Sequence, residues 1–159
     1  MEVNMSAPSA QQLWFLDTLV TIRLPGSAGP DGITVMEHHA PHGDSPPLHI
    51  HRREDEVFHV LDGVLRLRSG DDDMRLEAGS TFLAAQGNAH TYRVESAGGA
   101  RWLTITRGGD FERFVRALGR PAQRAELPPP SGPPTPEAAS ALADVARQHG
   151  VDLVGPPLS

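Results

Sequence analysis

The stretch from Gly43 to Gly63 (GDSPPLHIHRREDEVFHVLDG) constrains the fold of this chain more than any other. In its middle, His49 and His51 are separated by one residue, and alternate side chains of a β-strand lie on the same face of a sheet. An acidic cluster follows, and then an apolar run rich in strand-forming residues ends at Asp62-Gly63. Asp-Gly between two strand-like runs is a strong signal for a tight β-hairpin turn. The stretch therefore predicts two strands separated by a bend, with a hairpin turn after the second.

Metal binding is the chemistry that this stretch favours. Two imidazoles and a nearby carboxylate on one face are suitable ligands for a first-row divalent ion. A further candidate ligand, His90, lies in the later stretch GSTFLAAQGNAH. Three histidines and a carboxylate leave part of an octahedral shell free for water, dioxygen or a substrate. A single histidine is more often structural, but this combination in matching register favours a metal site.

The two stretches together resemble the paired motifs of the cupin family. The first motif, G-x5-H-x-H-x3,4-E-x6-G, is matched at every spacing by Gly43, His49, His51, Glu56 and Gly63. A looser resemblance, to single-domain cupins of the quercetin dioxygenase-like kind, extends over nearly the whole chain. The resemblance implies an all-β fold, the double-stranded β-helix or cupin jelly-roll barrel.

The second cupin motif, G-x5-P-x-G-x2-H-x3-N, is matched at Gly79, Gly87 and His90. Ala85 replaces the usual proline and Val94 the usual asparagine, and neither position is a metal ligand in the family. The two departures therefore affect the rigidity of a turn and the end of a strand, and they leave the implied coordination intact.

The resemblance implies that one divalent transition metal is held by four residues of this chain: His49, His51, Glu56 and His90. Iron, manganese, nickel, cobalt and zinc all accept such ligands, so the identity of the metal stays open. Glu56 is also the candidate catalytic base, because it is the carboxylate that the register places beside the metal.

Neighbouring acids and histidines are expected to have simpler roles. Glu54 and Asp55 are interpreted as solvated residues of the bend, since only Glu56 has the family spacing to the following glycine. His59 has the opposite strand parity to Glu56, so it is expected to point away from the metal. His38 precedes the motif and is expected to be structural.

Three apolar or aromatic residues are candidates for a substrate pocket. Phe58 and Val60 share strand parity with Glu56, and Tyr92 shares parity with His90. For Tyr92, an ordinary place in the core is an equally good interpretation. A pocket with this lining suits a small organic substrate.

The remaining sequence predicts one domain, an all-β barrel followed by two short C-terminal helices. Many short strand-like runs separated by turn residues are typical of a jelly roll, and the barrel is expected over about residues 13–107. Leu13–Leu24 is expected to form its first strand. In the extension, residues 108–159, Asp110 and Thr135 are placed as the N-caps of the two helices.

Composition excludes several classes of function. The chain has no cysteine and no lysine, which excludes thiolate metal sites, iron–sulfur clusters and Schiff-base chemistry. The net charge is −6 without a basic stripe, so nucleic acid is not an expected partner. Residues 1–12 are expected to form a flexible arm that lacks the pattern of a signal peptide, and no apolar run approaches the ~20 residues that span a bilayer. A cytoplasmic protein without membrane contact is the expectation.

The preferred function is that of a quercetinase-like, metal-dependent dioxygenase acting on a small aromatic or enolic substrate, as the resemblance implies. Two alternatives stay open: a non-redox isomerase or polyketide-type cyclase that uses the metal as a Lewis acid, and a small-molecule-binding module without catalysis. A homodimer is also expected. Val57 and Leu61 present apolar side chains on the face opposite the pocket, and Leu13–Leu24 is unusually apolar.

Overall fold

The computed structural model describes residues 10–159, which form two antiparallel β-sheets and two α-helices. The strands are, in chain order, β1 (Gln11–Phe15), β2 (Thr18–Leu24), β3 (Ile33–Ala40), β4 (Leu48–His51), β5 (Glu56–Asp62), β6 (Val64–Ser69), β7 (Asp72–Glu77), β8 (Thr81–Ala84), β9 (His90–Val94), β10 (Ala100–Arg107), β11 (Arg120–Pro121) and β12 (Val151–Gly155). The helices are α1 (Asp110–Leu118) and α2 (Pro136–Gln148), and a short 3-10 helix covers Gly26–Ala28. Residues 1–9 of the predicted arm lie outside the described residues, and Gln11 and Gln12 belong to β1.

The two sheets build a double-stranded β-helix. The larger sheet has the strand order β11-β1-β2-β3-β10-β5-β8, and the smaller sheet has the order β12-β4-β9-β6-β7. Inward-facing side chains are buried and alternate with more exposed ones, as along β5, where Glu56, Phe58 and Val60 are buried. The predicted all-β fold with two C-terminal helices is confirmed. Within the described residues, no helix is both long enough and apolar enough to cross a membrane.

Two apolar clusters fill the interior of the molecule. One cluster packs α1 against the first two strands and includes Phe15, Val20 and Val115. The other lines the barrel and includes Phe58 and Trp102. Burying a large apolar side chain fully is worth ~1.5–3 kcal/mol, so both clusters stabilise the frame that carries the inner faces of the strands.

Leu13–Leu24 forms two strands, so the prediction of one strand is wrong. The chain reverses at Leu16 and Asp17, where Leu16 has a φ of 54°. The hydroxyl of Thr18 donates a hydrogen bond to the carbonyl oxygen of Phe15 at 2.6 Å, which closes the turn. Both strands are buried on both faces for much of their length, so no alternation of polar and apolar residues marks the reversal.

The turn at Asp62-Gly63 joins the two sheets and is not the predicted hairpin. β5 pairs with β10 and β8 in the larger sheet, whereas β6 pairs with β7 and β9 in the smaller sheet. Gly63 has a φ of 79°, and a Cβ atom there would lie 2.5 Å from the carbonyl oxygen of Gly99. Glycine is therefore required at this position by the left-handed backbone and by the close approach of another loop. Many hairpin turns also need a glycine with a left-handed backbone, so the sequence alone does not distinguish the two kinds of turn.

The C-terminal extension adds strands as well as the two helices. β11 pairs with β1 at the edge of the larger sheet, and β12 pairs with β4 at the edge of the smaller sheet. Thr135 caps α2 as predicted, because its side-chain oxygen accepts a hydrogen bond from the backbone N–H of Ala138 at 3.1 Å. The extension thus becomes part of the sheet that carries the histidine-rich strand β4.

The N-terminus of α1 is capped by Glu54, so the prediction of Asp110 as its cap is wrong. Gly109 occupies the N-cap position with a φ of 84°, and Asp110 is the first helical residue. Oε1 of Glu54 accepts a hydrogen bond from the backbone N–H of Phe111 at 2.9 Å, while Asp110 binds the guanidinium of Arg53 through contacts of 2.8 and 3.0 Å. Glu54 is only 2% exposed, which also contradicts its interpretation as a solvated bend residue. The helix it caps lies too far along the chain for a local pattern to reveal the contact.

Candidate metal centre

Four side chains from the two sheets meet inside the barrel. His49 and His51 come from β4 and His90 comes from β9, all in the smaller sheet, whereas Glu56 begins β5 in the larger sheet. One ligand atom from each of the four residues lies within 4.8 Å of the others. The structure therefore brings the whole set of predicted ligands together, in a cluster that can hold a metal ion.

Strand pairing positions the histidines of this cluster. His49 lies directly opposite His90 in the pairing of β4 with β9, and the centroids of their rings are 4.5 Å apart. On the other side of β4, β12 places Leu153 opposite His49 and Val151 opposite His51. The strand that carries two of the histidines is thus held from both sides.

Backbone carbonyl oxygens lie close to one ring nitrogen, Nδ1, of His49 and of His90. Nδ1 of His49 lies 2.7 Å from the carbonyl oxygen of Pro47, and Nδ1 of His90 lies 3.4 Å from that of Asn88. Because a carbonyl oxygen only accepts, these contacts favour the tautomer of each ring in which Nδ1 carries the proton. The Nε2 lone pairs are left for a metal, which is how ligating histidines are usually held.

Glu56 faces two of the histidines at short distance. Its Oε2 lies 2.9 Å from Nε2 of His51 and 2.9 Å from Nε2 of His90, and all three side chains are buried. A carboxylate oxygen and an imidazole lone pair repel each other at this separation unless a proton or a metal ion lies between them. The cluster therefore has the geometry of a site for a positive ion.

Burial and mutual charge decide the protonation of the cluster. Burial, and then the neighbouring His90 and His51, lower the pKa of His49 to about 3, so His49 is neutral at physiological pH. Burial opposes ionisation of Glu56, but the two histidines outweigh it and hold the pKa of that carboxyl well below its usual range. Burial likewise lowers the pKa of His51, yet the charge of Glu56 more than compensates and the net shift is upward. A neutral imidazole and an ionised carboxylate are the forms that bind metals.

These residues fit one divalent transition metal ion. Three imidazole nitrogens and one carboxylate oxygen form a donor set that iron, manganese, nickel, cobalt and zinc accept. Four protein ligands leave part of an octahedral shell open, as a catalytic site requires.

The predicted pocket residues lie on inner faces beside the cluster. Phe58 and Val60 are fully buried, and the ring centroid of Phe58 is 5.9 Å from that of His90. Tyr92 is half-buried and packs edge-on against Trp102, with their ring centroids 4.9 Å apart. The interior beside the cluster is therefore aromatic and apolar, and contact of these residues with a substrate stays a prediction.

His59 lies on the outer face of β5, opposite Glu56, as strand parity predicts. One of its ring nitrogens, Nδ1, is 2.7 Å from the hydroxyl oxygen of Thr81 on the neighbouring strand β8. The residue is half-buried and belongs to the surface of the larger sheet. It therefore takes no part in the cluster.

Two residues beside the cluster were not predicted as part of the site. His38, on the inner face of β3, is only 4% exposed, and Phe111 from α1 packs edge-on against His51 with ring centroids 5.4 Å apart. Strand parity places His38 on the same face of β3 as the apolar Met36. The other face carries Val35 and is not clearly polar, so the sequence does not show which face of β3 points inward. No local pattern indicates Phe111, because its position depends on how α1 packs on the barrel.

Comparison with known proteins identifies the class. Residues 35–106 match the model of the Cupin domain family, and all four residues of the cluster lie within this segment. Within this segment the chain is similar to cupin domains, and the resemblance that the two motifs indicated is confirmed.

The chain is also similar to a particular enzyme of this class, the quercetin 2,3-dioxygenase of Bacillus subtilis (strain 168). The two sequences are 33% identical over 87 residues, which are 55% of this chain and 26% of that protein. The chain thus spans about a quarter of the length of the curated relative that it matches.

Solved structures share the fold. A predicted oxalate decarboxylase from Thermotoga maritima superposes with a TM-score of 0.56 at 18% identity, covering 67% of this chain and 98% of that one. The polyketide cyclase RemF from Streptomyces resistomycificus superposes with a TM-score of 0.52 at 18% identity, covering 67% and 78% of the two chains. At these identities the likeness concerns the fold alone.

Proposed function

We propose that this protein is a metal-dependent dioxygenase that acts on a small aromatic or enolic compound. The observation that carries the proposal is the position of Glu56, buried inside an aromatic interior with its Oε2 2.9 Å from two imidazole nitrogens. The similarity to quercetin 2,3-dioxygenase supports this class of reaction.

Four residues would hold the ion: His49, His51, Glu56 and His90. When bound, the ion supplies a Lewis-acidic, redox-capable centre for an enol and dioxygen. The carbonyl contacts at Nδ1 of His49 and His90 keep both rings in a ligating orientation, so the ligand set needs little rearrangement.

Glu56 is the candidate base that takes the hydroxyl proton of an enolic substrate. Its low pKa keeps the carboxylate ionised, and one of its two oxygens remains free when the other is a ligand. It shares the inner face of β5 with Phe58 and Val60, so a substrate ring lying against these side chains has its hydroxyl near Glu56. A positioned base of this kind accelerates a proton transfer by ~10²–10⁴-fold.

The apolar lining supports a ring-shaped substrate. Tyr92 retains accessible aromatic surface and packs against the buried Phe58, and such a surface binds a ring through burial of apolar area. The same side chains limit the access of water to the cluster, which strengthens electrostatic interactions inside it.

Oxygen uptake tests the proposal. Protein purified without an affinity tag under anaerobic conditions is analysed for metal and then mixed with a panel of enols and flavonols. Consumption of dioxygen that depends on substrate is the expected result. Turnover without oxygen uptake would identify a non-redox isomerase or polyketide-type cyclase, and binding without turnover would identify a binding module. Either outcome overturns the proposal.

A further inference from the structure

Two polar atoms inside the barrel lack partners. His38 is 4% exposed and Thr104 is 1% exposed, yet Nε2 of His38 and Oγ1 of Thr104 have no hydrogen-bond partner among the described residues. A buried donor or acceptor without a partner is costly, and native interiors contain few of them. Two such atoms on one inner surface point to a ligand that the chain itself does not supply.

Both residues lie on the inner face that carries Glu56. β3 places His38 opposite Trp102, which is two residues from Thr104 along β10, so His38 and Thr104 are diagonal neighbours on this face. In the pairing of β10 with β5, Thr104 lies opposite Phe58 and Thr106 lies opposite Glu56. Thr104 therefore lies one row away from Glu56, a spacing of ~7 Å along the strand.

Aromatic neighbours fix the imidazole of His38. The ring of Trp102 stacks on it with a centroid distance of 5.3 Å and an interplanar angle of 12°, and the ring of Phe111 does so at 5.9 Å and 7°. Phe111 in turn contacts His51 of the cluster, so a single phenyl ring separates the two histidines. An imidazole packed in this way keeps a fixed orientation, as a specific hydrogen-bonding contact requires.

The His38 ring is uncharged. Burial lowers the pKa of His38 to about 4, even though the charge of Glu56 opposes the shift. A neutral imidazole has one nitrogen that donates and one that accepts, and the hydroxyl of Thr104 can do either. The two atoms together can therefore hydrogen-bond either a hydroxyl or a carbonyl group.

We infer that His38 and Thr104 form a second substrate-contact point, which binds a neutral hydroxyl or carbonyl group while another oxygen of the same molecule faces the metal cluster. This inference rests on the function proposed for the cluster. The contact point carries no positive charge: no arginine is among the buried residues of the described chain, and the sequence has no lysine. A carboxylate or phosphate there would be buried without a counter-charge, which is costly. The substrate class is thus a ring compound with two separated, neutral oxygen groups.

Substitutions matched in shape test the inference. His38→Phe keeps an aromatic ring against Trp102 and removes the nitrogen, while Thr104→Val keeps the branched side chain and removes the hydroxyl. Thr104→Ser retains the hydroxyl and is the matched control. The probes are quercetin, which carries further ring hydroxyls, and 3-hydroxyflavone, which keeps only the enol hydroxyl and the carbonyl next to it. Affinities of the metal-loaded proteins for both probes are measured anaerobically, so that binding is observed without turnover.

When the wild type binds a probe, the ratio of its affinities for quercetin and 3-hydroxyflavone tests the inference. We expect the wild type to prefer quercetin by about tenfold or more, and His38→Phe and Thr104→Val to reduce this preference to about twofold or less. Thr104→Ser keeps the preference, and metal content is unchanged in all three variants. A wild type without a preference, or variants that retain it, would overturn the inference.

Thermal unfolding without ligand separates failure of this inference from failure of the proposed function. Removing an unpartnered buried atom leaves the melting temperature unchanged or raises it, whereas removing an atom that is satisfied by internal water lowers it. If the wild type binds neither flavonol, the affinities give no ratio and the melting temperatures decide. Melting temperatures of His38→Phe and Thr104→Val at or above that of the wild type support the inference that the two polar atoms are available to a ligand. A lower melting temperature of either variant overturns the inference.

Discussion

Glu54 and Asp55 are neighbours in the sequence, and each carboxylate accepts one backbone N–H, but only the first is buried. Oε1 of Glu54 accepts from Phe111 at 2.9 Å, and Oδ1 of the exposed Asp55 accepts from Gln86 at 2.8 Å. The two residues therefore offer a comparison of the same kind of hydrogen bond in two environments.

We predict that Glu54→Ala lowers the free energy of unfolding by about 1–3 kcal/mol, because the N–H of Phe111 is left buried without a partner. Asp55→Ala is expected to cost less than about 0.5 kcal/mol, since water replaces the exposed acceptor. Glu54→Ala should also weaken metal retention, because Phe111 packs against His51. Urea unfolding and metal analysis measure these effects. Equal losses of stability in the two variants would contradict the prediction.

The four residues of the cluster are predicted to hold the metal. His49→Ala, His51→Ala, Glu56→Gln and His90→Ala are each expected to lose most bound metal on dialysis, because each removes one ligand atom of a compact set. His59→Ala is the control, since His59 lies on the outer face of the same strand as Glu56. Elemental analysis after dialysis measures the metal-to-protein ratio. A metal-free His59 variant beside a fully loaded Glu56 variant would show that the assignment is wrong.

A separate prediction concerns Glu56 as a base. When metal is resupplied in excess, Glu56→Gln is expected to recover occupancy through its three imidazoles but to lose ~10²–10⁴-fold in turnover. The reason is that an amide does not accept the proton of an enol. Oxygen uptake by the reloaded variant, compared with wild type at equal occupancy, measures the effect. Equal rates would restrict Glu56 to coordination.

Asp44 is predicted to make stability depend on pH. The side chain is half-buried, and burial followed by the charge of Asp17 raises its pKa from 3.8 to about 6. The folded state therefore binds this proton more tightly than the unfolded state. The contribution to stability is fully present below pH 3.8 and is lost as the pH rises through about 6.

Asp44→Asn, which does not titrate, should remove this dependence. At pH 7–8 we expect the variant to be more stable than wild type by about 1–2 kcal/mol, a figure reduced for the partial exposure of the group. At pH 4 the difference should nearly vanish. Asp71→Asn, at an exposed turn, is the control. Urea unfolding across this pH range measures the effect, and a constant difference between Asp44→Asn and wild type would contradict it.

An apolar row crosses the outer face of the larger sheet. Val35, Ile105, Val57 and Leu83 lie side by side on β3, β10, β5 and β8, and Leu83 is 52% exposed. The side chains of Leu13–Leu24, which were expected to contribute to a dimer, are mostly buried within the chain. The homodimer stays a prediction, and we expect it to use this row and its surroundings.

We predict that the wild type is a homodimer and that Leu83→Glu is a monomer, because the substitution places a charge on the most exposed side chain of the apolar row. Val154→Glu is the matched control, since Val154 is 50% exposed on a strand of the other sheet. Light scattering at several micromolar concentrations measures the mass of each variant. A monomeric wild type without concentration dependence would remove the prediction.

The features that could be predicted from the sequence are local ones. The grouping of His49, His51 and Glu56 follows from the two-residue period of a strand and a short bend, and the outward position of His59 follows from the same period. The glycine spacing predicts a turn at Gly63 but does not predict that the strands on either side belong to different sheets. A turn between two sheets and a hairpin turn both need a residue with a left-handed backbone there.

The features that could not be predicted depend on contacts between distant parts of the chain. Glu54 is buried because α1, far along the sequence, needs an acceptor for the N–H of Phe111. The environment of His38 arises from the pairing of β3 with β10 and from a ring of the same helix. Strand β12 has no pattern that distinguishes it from a loop after a helix, and Val151 of β12 pairs with His51 of β4, 100 residues earlier in the chain.

The pairing of β12 with β4 has a consequence for biosynthesis. Every residue of the cluster leaves the ribosome before Val151 and Leu153, which lie opposite His51 and His49. Until then β4 is an open edge that invites wrong pairing with other chains. The completed strand both closes that edge and supports two of the histidines, so we expect durable metal binding only after β12 has been made. On this expectation, the metal content of newly made protein rises with the fraction of chains in which β12 has paired.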